Sequence, residues 1–292
     1  MKSLTDSDLA EDNENAAPSP LGAGLLDPHS HLAGAIERFS DDPDFVTALA
    51  RGLAVILTLS EKRKRISIAQ VSYLTGIPRA AARRSLYTLT KLGFAAMDDS
   101  KHFYLRPRIL TLGHAYLSTS PVAVLAQPIL DRLGETLEHG CALAVLDNDE
   151  IVYLARSVSS RVLSPALNVG RRLPAFCASI GRTLLAQLPE SELESYLKTT
   201  RFQAYSKHTV TNPDELRVLL QKARADGYAF TREQIEPHLC SIAVPVRDSA
   251  GNYVAGLNII IHGNLITEQE ASERYFEPLH QAARVLGNSL IL

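Results

Sequence analysis

Apolar residues in this chain recur first at helical spacing and later in alternating runs, and the change divides it. Phe45, Leu49, Leu53 and Ile56 with Leu57 predict an amphipathic helix to about Leu59. The charged run EKRKR then interrupts it and reads as a solvated loop. Ser67 followed by Gln70 fits a capping box and predicts a short helix ending at Leu74 or Thr75. Gly76 permits a turn, and Pro78 suits the first position of a second helix, which runs to Leu92 and stops at Gly93. Two short helices around a tight glycine turn, the second one basic, predict a helix-turn-helix. FAAMD and HFYLR flank the polar turn DDSK and predict a hairpin, the wing of a winged helix.

The spacing of Leu110, Leu112, Ala115 and Tyr116 predicts a connecting helix from Ile109 that ends near Pro121. Beyond it the pattern is mixed. Residues 122–138 look helical, and CALAVL, DNDE and IVYLARS predict a hairpin. SIGRTLLAQL looks helical, and Asn212, Pro213 and Glu215 start a helix that ends at Gly227. SIAVPV, RDSAGN and YVAGLNIIIH predict a second hairpin, with runs apolar enough for the centre of a sheet, and Thr267 with Glu270 caps a final helix. The fold class is therefore α+β. Its parts are an arm over 1–44, a winged helix-turn-helix over 45–106, a linker helix over 107–120 and an α/β domain over 121–292.

Charge sharpens this division. The net charge of -2 conceals balances of -8 over residues 1–44, +9 over 45–120 and -3 over 121–292. A small basic module favours a polyanion as partner. The acidic arm, punctuated by Pro18, Pro20, Gly22, Gly24 and Pro28, reads as disordered, with a transient helix over Leu32–Phe39. No apolar run reaches the roughly 20 residues that span a bilayer, and the N-terminus lacks a signal-peptide core, so a soluble intracellular protein is expected. Cys141, Cys177 and Cys240 are widely spaced and read as small buried residues. The close pair His29 and His31 falls in the arm, and neither a metal site nor a cofactor is expected.

In the second helix Leu86, Leu89 and Leu92 form an inward stripe. Arg79, Arg83 and Arg84 fall mostly away from it, and Ala80, Ala81 and Ala82 let the backbone approach DNA closely. An arginine fork donates bidentately to guanine or phosphate. With Ser67, Thr88 and the wing residue Lys101, these form the candidate contacts to double-stranded DNA. In the larger domain VGRRLPAFCASIGR stands out, because a helix starting near Ala178 or Ser179 can hold a small carboxylate at its free N–H groups. Close packing explains Cys177, Ala178 and Ser179 equally well. A serine-hydrolase elbow is lacking, since CASIG has no first glycine. An enzyme acting on a small carboxylic acid, with an appended winged helix, is the rival reading, with Ser179 and His208 as its uncoordinated candidates.

At this point the chain resembles the IclR family of bacterial transcription regulators. The resemblance rests on ALARGLAVIL, VSYLTGIPRAAARRSLYTLTKLGF, LGHAYL, VGRRLPAFCASIGRTLLAQLP and SIAVPVRDSAGNYVAGLNI, in that order. AYLSTSPVAVLAQPIL, RLPAFCASIGR, HTV and SIAVPVRD are similar to the branch that controls aromatic-acid degradation through the β-ketoadipate pathway. The resemblance implies a GAF-like effector-binding domain, a small aromatic acid such as protocatechuate or 4-hydroxybenzoate as effector, and a homodimer, often a dimer of dimers. It also implies a place in the bacterial cytoplasm, at the nucleoid. The family's pocket positions fall here on Phe176, Cys177, Ala178 and Ser179, on Glu233 and Ser241, and on Asn258 and Ile260. Where relatives carry a thiol this chain has the hydroxyl of Ser241, and where they carry two serines it has Asn258 and Ile260.

Overall fold

Residues 34, 36–39, 41–61, 65–157, 168–263 and 266–290 are described by a computed structural model. Most of the arm, with His29 and His31, lies outside them, as do part of the Leu32–Phe39 helix and residues 62–64 of the EKRKR run.

Helix α1 spans Thr47–Glu61 and lies over the helix-turn-helix. It buries Ala54, Val55, Thr58 and Leu59, while Leu49 and Leu53 of the expected stripe are 63% and 44% exposed. The periodicity is genuine, yet much of it belongs to a face that nothing among the described residues covers. Helix α2, Ile68–Thr75, starts with the capping box: Ser67 Oγ accepts the Gln70 N–H at 3.3 Å, and Gln70 Oε1 accepts the Ser67 N–H at 2.8 Å. The turn is pinned by Ser72, whose hydroxyl donates to Ile77 O at 2.7 Å, and by Gly76 at φ 70°. Helix α3 spans Arg79–Lys91, with Pro78 as its N-cap rather than its first residue. Its end is a Schellman motif, in which Phe94 N–H donates to Leu89 O and Gly93 N–H to Thr90 O. That motif turns Leu92 into the C-cap, exposed instead of inward.

Strands β1 (Ala95–Met97) and β2 (Phe103–Leu105) pair antiparallel as the wing. A 3-10 turn over Pro107–Ile109 leads into helix α4, Leu110–Thr119, and α5, Pro121–Leu137, leaves at 82° to it. Pro121 cannot donate back to the preceding helix, which forces the break.

The remainder is one antiparallel sheet in the order β5-β4-β3-β8-β7-β6. Its strands are β3 (Gly140–Asp147), β4 (Glu150–Arg156), β5 (Arg172–Pro174), β6 (Ala229–Arg232), β7 (Leu239–Arg247) and β8 (Tyr253–His262). The two expected hairpins supply the four central strands. The short edges β5 and β6, and helix α7 (Glu190–Thr199), had no sequence signal long enough to read. Helices α6 (Ser179–Leu185), α7 and α8 (Pro213–Asp226) cover one face. Helix α5, the short α9 (Glu268–Ala271) and α10 (Glu277–Ser289) cover the other. The final helix is interrupted by a π turn over Ser272–Phe276. Pro278 at the start of α10 lacks the N–H that would close an ordinary turn there.

The faces differ in kind. Toward α5 and α10 the strands present Cys240, Ile242, Val244, Leu257, Ile259 and Ile261. Toward α6 they present Ala142, Ala144, Ala243 and Ile260, with Ser241, Gly256 and Asn258 at the same parity. Small residues bring α6 against the sheet: a Cβ on Gly256 would lie 2.6 Å from Ile180 Cγ2. Because these side chains are short, the same face also leaves room for a cavity.

Candidate DNA-reading head and effector cavity

Viewed around α3, the buried positions are Ala82, Leu86 and Leu89. Ala82 therefore belongs to the core, and Ala81 packs partly against it, so of the three alanines Ala80 alone is open to a partner. Opposite the core lie Ala80, Arg84, Tyr87 and Lys91, flanked by Arg79, Arg83 and Thr88, all exposed. Tyr87, 62% exposed and with Lys91 Nζ 5.4 Å over its ring, sits in the middle of this face and was missed by reading charge alone. Arg79, Arg83 and Arg84 form no ion pair among the described residues. Thr88 donates its proton to Arg84 O at 2.9 Å, so its hydroxyl is left to accept. Ser67 has its lone pair engaged by the cap and keeps its proton to donate.

The wing is braced from α1's side. Arg65 donates to Asp98 Oδ2 at 3.1 Å and stacks over Tyr104 at 4.5 Å. The backbone N–H of His102, aided by Arg65, holds the Asp98 carboxyl below its ordinary range. Lys101 takes φ 61° at the tip and projects into solvent.

On the α6 face a small cavity, open at its mouth, lies between α6, β4, β7, β8 and the segment after β6. Leu173, Ile235, Leu239 and Ile260 form apolar walls; Tyr153, Ser179, Thr231, Gln234, Ser241 and Asn258 contribute polar groups. Cys177 and Ala178 complete the wall beside α6, and Glu236 is the one charged side chain in the described lining. Ser179 Oγ and Ser241 Oγ lie 2.7 Å apart. Since Ser241 donates to Ile259 O at 2.9 Å and accepts from Asn258 Nδ2 at 3.0 Å, the shared proton comes from Ser179. Ser179 thus presents lone pairs, and Asn258 Oδ1 is buried without a hydrogen-bond partner. Burial pushes the Cys177 thiol up to about 12, which keeps it protonated and inert.

Of the eight expected pocket residues, Cys177, Ala178, Ser179, Ser241, Asn258 and Ile260 line this cavity. Phe176 does not: its ring packs edge-on against Phe202 at 5.1 Å. Glu233 does not either, because its backbone at φ 51° breaks the strand alternation after β6. Its carboxylate turns to His208 Nε2 at 3.4 Å and accepts the His238 N–H at 3.0 Å, and Gln234 takes the wall position instead. Helix α6 has seven residues, and the polar side chains rather than its dipole define the cavity. For nucleophilic chemistry Ser179 would need a base, and its hydroxyl bonds another hydroxyl while the imidazole of His208 is at Glu233.

Comparison with known proteins agrees with this arrangement. Residues 48–99 match the IclR helix-turn-helix domain, and residues 114–288 match the C-terminal domain of bacterial IclR transcriptional regulators. The chain is 42% identical to the Pca regulon regulatory protein of Pseudomonas putida over 98% of its own length and 99% of the relative's. It is 32% identical to the Pca operon regulatory protein of Acinetobacter baylyi over 85% and 90%. Among solved structures it is similar to an IclR homologue from Microbacterium hydrocarbonoxydans complexed with 4-hydroxybenzoate, with TM-score 0.69, 26% identity, and 83% and 98% of the two chains covered. These relatives are regulators, not enzymes. A basic reading helix with its wing, joined to a sheet domain that encloses a small half-apolar cavity, places this chain in the IclR family of bacterial transcription regulators.

Proposed function

We propose that the protein governs aromatic catabolism genes in the bacterial cytoplasm by binding promoter DNA under the control of a small hydroxylated aromatic acid, with protocatechuate and 4-hydroxybenzoate as the leading effectors. The observation that carries this reading is the cavity. Its apolar walls suit a ring, and Asn258 Oδ1 with the lone pairs of Ser179 wants a hydroxyl donor. The 4-hydroxybenzoate complex of a relative supports the same class. Titration calorimetry should show saturable binding of protocatechuate or 4-hydroxybenzoate, with benzoate and a β-ketoadipate-like diacid much weaker. Silence from both hydroxylated acids would remove the aromatic effector.

On the DNA side Arg84 is central to the exposed face and Arg79 lies at its edge. Arg84→Ala is expected to cost about 1–3 kcal/mol of specific binding and to relax preference at one base pair, while Arg79→Ala weakens all sequences alike. Anisotropy titrations on a selected operator and its single-base variants measure both, and equal losses across all variants would take Arg84 off the base edges. The protein acts as a homodimer in this reading. The uncovered apolar side chains Leu49 and Leu53 on α1, and Leu110, Leu112 and Tyr116 on α4, are suited to a second copy. Helix α4 joins the reading head to the sheet domain, and the effector changes DNA affinity only by as much as its own affinity differs between the two arrangements.

A further inference from the structure

Behind the cavity wall lies a buried cation that no described carboxylate touches, Glu215 acting on it only from beyond salt-bridge distance. Arg182 on α6 is 4% exposed, and its guanidinium donates to neutral acceptors, Nε to Phe176 O and Nη2 to Gln234 Oε1, each at 2.7 Å. It makes no salt bridge to a carboxylate among the described residues. Burial pushes its pKa down to about 10, so the charge persists at neutral pH. An unpaired charge in a protein interior is costly and is seldom kept without a use. One side of the guanidinium leads to the cavity through Gln234, and the backbone of Arg182 is tied to the wall. Gln234 is part of the wall, and so is Ala178, whose carbonyl accepts the Arg182 backbone N–H at 2.9 Å. Gln234 is locked in place, since its Oε1 also accepts from Val210 N–H at 3.0 Å and its Nε2 donates to His208 O at 2.6 Å. The charged wall residue, Glu236, repels an anion, so the described lining alone does not account for a carboxylate ligand.

We propose that Arg182, acting through Gln234 from behind the wall, is the counter-charge for the effector's carboxylate and selects an anionic ligand over its neutral isostere. The proposal rests on the aromatic-acid reading above. The guanidinium is buried and separated from the cavity by the Gln234 amide rather than by bulk solvent, so its field reaches a bound carboxylate with reduced screening. Arg182 is thus a specificity-determining residue that a list of wall residues omits.

The test is the ratio of affinities for 4-hydroxybenzoate and the uncharged 4-hydroxybenzamide, measured by calorimetry on the full chain. Arg182→Gln should reduce the preference for the acid by roughly tenfold or more and leave amide binding about unchanged. Arg182→Lys, which keeps the charge, should retain much of the preference. Arg182→Met, which removes the charge and keeps the side chain's length, should reduce the preference likewise and carries the test if Arg182→Gln fails to fold in a thermal melt. Equal weakening of acid and amide in the variants would overturn the proposal and leave Arg182 a structural residue. Failure of the wild type to bind either compound would instead overturn the aromatic-acid reading, and the proposal with it.

Discussion

Raising the salt concentration from about 50 to about 200 mM should weaken promoter binding by roughly a thousand- to a hundred-thousand-fold, the loss expected of a complex that neutralises on the order of 6–10 phosphates. The exposed face of α3 and the wing tip supply Arg79, Arg83, Arg84, Lys91 and Lys101, none of them paired with a carboxylate among the described residues. In the homodimer proposed above, two protomers on one operator would double that set. Each neutralised phosphate releases condensed counterions, and the log-log slope of affinity against salt is about -0.9 per contact. Anisotropy titrations across a salt series, with an operator selected from a random pool, give the slope directly. A slope near zero would mean that this face does not meet phosphate, and the reading of α3 as the recognition helix would fall. Substituting Lys101 at the wing tip by Ala should reduce the slope by about one contact per protomer and leave sequence preference intact.

Gly181→Ala is expected to cost about 3 kcal/mol or more, the upper range for overpacking a rigid site, and to lower the melting temperature of the effector-binding part by about 10 °C. A Cβ at this position would lie 2.1 Å from Ala175 O and 2.4 Å from Ala175 Cα, backbone atoms rather than the end of a flexible side chain. That backbone has little freedom to yield. Ala175 N–H donates to Asp149 O at 2.9 Å, and the next carbonyl, Phe176 O, is held by Arg182 Nε. Because the same segment forms the cavity wall beside α6, effector binding should be lost along with stability. Gly113→Ala is the contrast. It lies in α4 with open space where the Cβ would go, so the change should be neutral or add up to about 1 kcal/mol through helix propensity. Thermal unfolding followed by circular dichroism separates the two, and a Gly181→Ala protein that melts like the wild type would contradict the close approach of α6 to the turn before it.

The elements whose signals are local in the chain were legible in it. Ser67 with Gln70, Thr267 with Glu270 and Asn212 satisfy helix N–H groups within three residues, and Gly93 takes the left-handed turn that ends α3, so reading them needs no tertiary information. The basic character of α3 was likewise visible, because charge is a property of the residues themselves. Facing was not. Leu49, Leu53 and Leu92 repeat at helical spacing and yet point outward, and Ala82 points inward, since packing of α1 and the wing chooses which side of each helix is buried. Tyr87 reached the centre of the reading face for the same reason. The cavity shows the limit most clearly. Its walls come from β4, α6, the segment after β6, β7 and β8, far apart in the chain and joined only by strand register. The positive φ at Glu233 exchanges that residue for Gln234, and through Gln234 brings the buried charge of Arg182 behind the wall. Composition and periodicity determined what the elements are and that one of them seeks a polyanion; only the folded sheet decided which side chains share a cavity, because that depends on contacts between residues with no relation along the sequence.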